Sequence, residues 1–258
     1  MSNIKNAFIK GKAFIPFVTC GDPDIETTYN VVIEAVNNGA DLIELGIPFS
    51  DPTAEGPVIQ EANLRALTGG VTTDKVFDLV RRLRETVTIP IVFMTYANVV
   101  FSYGADRFIK TCSEIGIDGL IIPDIPYEEK EEFTPYCEKY DVDLISMIAP
   151  TSEDRITMIA KEAKGFIYVV SSMGVTGTRS SFSGDLSKIT EKIREVTDVP
   201  CAIGFGISNP EQAEKMAGIS DGAIVGSAII KILAQYGKEA PKYVGEFVKS
   251  MKDAVRKA

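Results

Sequence analysis

Residues 41–57 read Asp-Leu-Ile-Glu-Leu-Gly-Ile-Pro-Phe-Ser-Asp-Pro-Thr-Ala-Glu-Gly-Pro. The first part, 42–46, has the pattern of a short apolar strand, and Glu44 is its one exception. A carboxylate among apolar side chains is costly unless it is paired or kept protonated. The Pro- and Gly-rich loop that follows carries two more acids, Asp51 and Glu55. One acid on a rigid strand and another on the loop at its end is a layout for acid–base chemistry. A strand carboxylate on a sheet edge would instead face solvent. The two readings stay open until the neighbours of that strand are placed.

Composition narrows the chemistry. The chain has 258 residues, 45% hydrophobic and 24% charged, enough for one large α/β domain over 1–258. A net charge of −9 argues against a nucleic-acid partner. No run of about eighteen apolar residues marks a membrane span, and residues 1–12 are too polar for a signal peptide. Cys20, Cys112, Cys137 and Cys201 form no CxxC pair and read as reduced thiols of a cytoplasmic protein. There is no histidine. Ser–His and Cys–His nucleophiles are therefore excluded, and the commonest zinc ligand is missing. No metal site is expected.

The elements that must position the acids follow from periodicity. A short helical plug is expected at 4–10. Apolar strands are expected at 13–19, 42–46, 91–95, 119–122, 143–148, 166–170, 200–203 and 223–225. Helical patterns lie at 25–36, 58–67, 73–86, 105–115, 127–140, 153–163, 186–196, 210–217, 227–236 and 241–257, with Ser208 and Glu211 as a capping box. Eight strand–helix units in roughly 250 residues fit a single-domain (β/α)8 TIM barrel with extra terminal helices. A doubly wound open sheet is the structural alternative.

In such a barrel, chemistry sits at the C-terminal strand ends. Those ends bring Asp22, Glu44 with its Glu55 loop, Tyr96 and Asn98, Asp124, Tyr168, and the segments Gly174–Gly177, Gly204–Gly206 and Gly226–Ser227. The last three sets suggest a phosphate cradle made mostly of backbone N–H groups, helped by the helix that starts at Ser227 and by its hydroxyl. No strand carries the lysine that a Schiff-base aldolase needs. The histidines that a metal-dependent aldolase ordinarily uses are absent. Carboxylate and tyrosine chemistry on a phosphorylated ligand remains, with Glu44, Glu55 and Tyr168 as candidates. Packing alone is also a sufficient role for Tyr168, and Asp22 and Asp124, beside prolines, read as loop anchors. Tyr96 and Asn98 are placed to order the loop of Glu55.

Taken in order, Ile-Pro-Phe-Val-Thr…Gly-Asp-Pro, Glu44-Leu-Gly-Ile-Pro-Phe-Ser-Asp-Pro, Ala-Glu-Gly-Pro-Val-Ile-Gln60, Tyr96-Ala-Asn, Gly174-Val-Thr-Gly, Gly204-Phe-Gly-Ile-Ser and Val225-Gly-Ser-Ala-Ile resemble the tryptophan synthase α subunit family. The resemblance runs over nearly the whole chain. It implies a lyase that cleaves indole-3-glycerol phosphate to indole and glyceraldehyde 3-phosphate. It places the catalytic glutamate on Glu44 and the second catalytic carboxylate on Glu55. Substrate-binding positions fall on Tyr168, Gly177, Gly206, Gly226 and Ser227. It also implies a β subunit that carries pyridoxal phosphate, an α2β2 assembly, no cofactor on this chain, and loops after the second and sixth strands that close over substrate.

One residue departs from the family pattern. Glu55 stands where the family usually has Asp, in Ala-Asp-Gly-Pro. The extra methylene adds roughly 1–1.5 Å of reach, and misplacement of that order costs about 10²-fold in rate. Either the loop backbone is set back to compensate, or this carboxylate has lost its role; in the second case a degenerate barrel that only activates its partner is a second reading. A different phosphate-barrel enzyme, such as an isomerase or prenyltransferase, is a third, and the Ser-Asp-Pro loop argues against it.

Overall fold

The structure, a computed structural model, describes residues 2–150, 153–171 and 182–258. Its strands are β1 (Ala13–Thr19), β2 (Ile43–Gly46), β3 (Ile91–Met94), β4 (Gly119–Ile121), β5 (Asp143–Leu144), β6 (Ser146–Ile148), β7 (Ile167–Val170), β8 (Cys201–Gly204) and β9 (Gly222–Val225). All pair in parallel, in the order β5-β4-β3-β2-β1-β9-β8-β7-β6. The two ends of that order, β5 and β6, are separated only by Ile145, whose N–H still bonds the Leu120 carbonyl. They are the halves of one predicted strand, 143–148. The sheet therefore meets itself there, and the fold is a TIM barrel rather than an open doubly wound sheet.

The helices are α1 (Ile25–Asn37), α2 (Pro57–Thr68), α3 (Thr73–Leu83), α4 (Ala97–Tyr103), α5 (Ala105–Glu114), α6 (Thr134–Tyr140), α7 (Glu153–Glu162), α8 (Phe182–Arg194), α9 (Pro210–Ile219), α10 (Ser227–Tyr236) and α11 (Ala240–Val255). Three differences from the sequence reading have local causes. The predicted helix 127–140 is a 3-10 turn, Tyr127–Glu132, and then α6, because Pro135 lacks the N–H needed to continue a helix and instead starts a new one. The cap of α9 is Asn209, whose side chain accepts from the Gln212 N–H; Ser208 donates to Gln212, and Glu211 is not part of the cap. Pro210 holds the residue before it extended, which makes Asn209 the capping position. The apolar helix α4 was not predicted; Gly104 at φ +92 ends it and turns the chain into α5.

The N-terminal plug is shorter than expected, a 3-10 turn at Ile4–Ala7. Ile4 is fully buried, with its Cδ1 3.0 Å from where a Cβ on Gly119 would project. Gly119 opens β4, so the plug closes the end of the barrel opposite the strand C-termini. Asp118 secures that end by accepting from the Asn3 and Ile91 N–H groups and from Arg84.

Large and small interior residues alternate, as a filled barrel requires. Phe17 and Tyr168 occupy space left by glycines: a Cβ on Gly46 would lie 2.7 Å from Phe17, and one on Gly204 2.3 Å from the Tyr168 hydroxyl. Gly204→Ala is expected to destabilise the fold by about 1–3 kcal/mol through overpacking. An unchanged urea midpoint would show that the Tyr168 ring does not occupy this space.

Candidate active site

β2 lies between β1 and β3, so neither of its edges is free. Glu44 is paired in register with Phe17 on one side and Val92 on the other. Strand alternation puts it on the same face as Gly46, against which Phe17 packs inside the barrel. Glu44 is 1% exposed, which removes the solvent-facing reading. Its Oε2 has no hydrogen-bond partner among the described residues.

Two other buried oxygens are also unpartnered among the described residues, Thr19 Oγ1 and Thr95 Oγ1. Thr19 ends β1, and Thr95 directly follows β3. Thr19, in register with Gly46, shares the inner face of Glu44, whereas Thr95, next to Met94, lies on the other face. Buried polar groups are ordinarily satisfied, so the open oxygens of Glu44 and Thr19 on one inner face suit a polar ligand.

Burial is the main cause that pushes the Glu44 carboxyl up to about 8, and the nearby Glu55 charge adds to it. Glu55 comes from the loop before α2 and is 7% exposed. Burial pushes it up to about 7, while a hydrogen bond from Asn63 Nδ2 to Oε2, 2.8 Å, works in the opposite direction. As pH rises, Glu55 therefore ionises first and Glu44 retains the proton. Tyr168, 5% exposed, is held well above the usual tyrosine range by burial and then by the charge of Glu44. Its ring meets Phe205 edge-on at 6.2 Å.

The loop of Glu55 is fixed by polar contacts. The Ala54 N–H donates to the Tyr96 hydroxyl at 3.1 Å, and Gln60 Nε2 donates to the Glu55 carbonyl at 2.8 Å. Tyr96 also stacks on Phe49 with centroids 5.1 Å apart. Asp124 accepts from the Ala97 N–H and so holds the start of α4. Asp22 is buried and bound by both arms of Arg65 at 2.7 Å. Both aspartates are anchors. Asp51 is exposed and bonds its neighbour Ser50, and Asn98 is likewise exposed, bonding Ser102 on α4. A hollow of about 370 Å³ beside this loop, between Pro48, Leu67, Thr72 and Tyr103, contains neither Glu44 nor Glu55.

The candidate phosphate positions lie at the same end of the barrel. Gly206 has φ +76, which a glycine adopts freely, and is exposed. The preceding Phe205 carbonyl accepts from Ser171 Oγ at 2.8 Å. Gly226 is the N-cap of α10 and provides no side-chain cap, and its carbonyl accepts from the Ile229 N–H, so the N–H groups of Ser227 and Ala228 are the ones that could face an anion. Ser227 opens α10 and is exposed. Phe17 touches the Cβ positions of both Gly46 and Gly226, which links the Glu44 strand to this cradle. Gly177, with the 174–177 loop, lies outside the described residues. Asn63 and Arg65 were not singled out from sequence. Their signal was a polar Asn on the helical face shared by Ala62 and Ala66.

The model of the family described as tryptophan synthase alpha chain matches residues 3–256. The chain belongs to this family. It is 51% identical over 255 residues to a tryptophan synthase alpha chain of Lacticaseibacillus casei, covering 99% of this chain and 96% of that one. It is 48% identical over 256 residues to one of Lactiplantibacillus plantarum, covering 99% and 97%. A solved tryptophan synthase subunit alpha from Legionella pneumophila superposes with TM-score 0.90 at 35% identity over all of both chains. A chain from a tryptophan synthase complex of Pyrococcus furiosus gives 0.85 at 31% identity, covering 94% of this chain and 98% of that one. The expected role in tryptophan biosynthesis follows from membership, and the activator-only barrel is not favoured.

The raised Glu44 carboxyl has a consequence for stability. The folded chain keeps a proton there that the unfolded chain loses above about 4.5, so stability falls as pH rises from 4.5 toward 8. Glu44→Gln removes this dependence. Its stability relative to the parent should rise by roughly 2–4 kcal/mol between pH 5 and pH 8. Urea unfolding at the two pH values measures the difference, and a pH-independent difference contradicts the assignment.

Proposed function

We propose that the chain cleaves indole-3-glycerol phosphate by a retro-aldol reaction, with Glu44 as the proton-transfer group and Glu55 as the electrostatic partner. The observation that carries this reading is the buried Glu44 carboxyl, whose Oε2 has no partner among the described residues, near a second, more readily ionised carboxyl. Protonated Glu44 gives its proton to C3 of the indole ring, which becomes a cationic indolenine. The Glu44 carboxylate then takes the proton of the side-chain hydroxyl next to that carbon. The C–C bond breaks, its electron pair returns to the indole ring, and the hydroxyl carbon becomes the aldehyde of glyceraldehyde 3-phosphate. The proton count on Glu44 is restored.

Glu55, ionised, accepts from the indole N–H and stabilises the positive charge that develops on the ring. Backbone N–H groups at Gly206 and Gly226, with the Ser227 hydroxyl and the N-terminus of α10, hold the phosphate. Gly177 adds to that grip. Tyr168 packs against the reacting end beside Glu44.

The partner is a β subunit that receives indole, uses pyridoxal phosphate, and assembles as α2β2. A cytoplasmic location suits such an enzyme, and no helix among the described residues is long and apolar enough to cross a membrane.

Indole release from indole-3-glycerol phosphate, with and without a β subunit, tests the reading. Glu44→Gln should retain substrate binding and lose cleavage, whereas a Gln variant of near parental rate ends the assignment. The active state holds one proton on the pair, so kcat/KM, which reports the free enzyme, should peak between an acid limb near 7 and an alkaline limb near 8, both belonging to the coupled pair. A rate flat from pH 6 to 9 contradicts it.

A further inference from the structure

We propose that Asn63 is a positioning residue that holds the Glu55 carboxylate in place and so accommodates a glutamate where the family usually has an aspartate. This rests on the reading of Glu55 as the ionised acceptor for the indole N–H. Among the described residues, Asn63 is the one hydrogen-bond donor to that carboxylate, at 2.8 Å, and it is 4% exposed. The other contacts of the loop bind its backbone: Gln60 the Glu55 carbonyl, Tyr96 the Ala54 N–H. They place the chain and leave the direction of the side chain open. Asn63 supplies the direction.

The geometry accounts for the extra methylene. Asn63 is the seventh residue of α2, about 9 Å along the helix axis from its start. The loop brings position 55 back over that face, and the longer side chain spans the remaining gap. The helix itself does not drift, because Arg65 is clamped two-fold onto buried Asp22 at the end of β1. Asn63 therefore projects from a helix fixed to the barrel wall. An amide N–H donor also favours the charged form of Glu55, the form that accepts from an indole N–H.

Asn63→Leu keeps the volume and removes the donor. Its kcat for indole release should fall about 10-fold at pH 7, with KM within about 2-fold and the acid limb of the kcat/KM profile moved up by about one unit. A packing role alone would leave the acid limb where it was. Unchanged kcat and an unchanged acid limb overturn the proposal. A second comparison does not depend on that variant folding. Glu55→Asp shortens one partner, and Asn63→Gln in the same chain lengthens the other by the same methylene. Recovery of kcat in the double variant over Glu55→Asp alone supports the hydrogen bond, and no recovery overturns it. Glu55→Gln separates the two levels. If it is inactive while Asn63→Leu behaves as the parent, only the role of Asn63 fails; if it is fully active, the reading of Glu55 fails as well.

Discussion

Much of this structure depends on a carboxyl group that water does not reach. β2 has a paired strand on each side, and Glu44, on its inner face, is only 1% exposed. A charged carboxylate there would be strongly disfavoured, and the group stays protonated into the range where an enzyme works. The barrel makes this tolerable because a single side chain cannot leave a strand that is laddered along both edges. The cost to folding is what leaves the group ready to give up a proton when a basic carbon is brought to it. The unpartnered hydroxyl of Thr19, on a flanking strand and the same inner face, shows that the same region is built without full polar satisfaction among the described residues.

The two carboxyls differ because their surroundings differ. Glu44 has strand neighbours and, among the described residues, no donor to its Oε2. Glu55 has a loop backbone fixed by Tyr96 and Gln60 and a side chain bonded by Asn63. The first environment favours the neutral acid, and the second moves the group back toward the anion. Separating two like groups in this way is what allows one pair to serve as acid and as charge stabiliser at one pH. The proposed phosphate cradle follows a different logic: made of backbone N–H groups and a helix end, it would add little side-chain charge to disturb the pair.

The parts legible in the sequence were those whose signal is local. Continuous apolar runs gave the strands, and the one carboxylate inside such a run singled out Glu44. Glycines at strand ends marked the mouth. The split of 127–140 was also written locally, in Pro135, and was passed over because the charge pattern on both sides reads as one helix. The rest was not legible, because it depends on pairs far apart in the chain. Arg65 finds Asp22 across 43 residues; Tyr96 was expected to order the Glu55 loop, but not that it would do so through the Ala54 N–H, 42 residues away. Asp22 was read correctly as an anchor from its neighbouring proline, but nothing local names its partner. Helix α4 escaped because its β-branched and aromatic composition is not that of a strong helix former. It forms where the Tyr96 turn and Asp124 hold its first N–H group.

Position 55 shows why a departure from a family motif must be judged with its surroundings. Compared with the usual aspartate alone, glutamate looks like a misplaced carboxylate and a lost function. In the fold, the relevant quantity is the distance from the loop backbone to a donor on α2, and the longer side chain reaches that donor with a normal 2.8 Å bond. The carboxylate is also buried and near enough to Glu44 to raise that group further, which a side chain turned to solvent would not do. A barrel kept only to activate a partner has no need to retain a second buried carboxyl, bonded and close to the first. The coupling between the two acids, rather than the identity of either one, is what supports the reading of this pair as a working site.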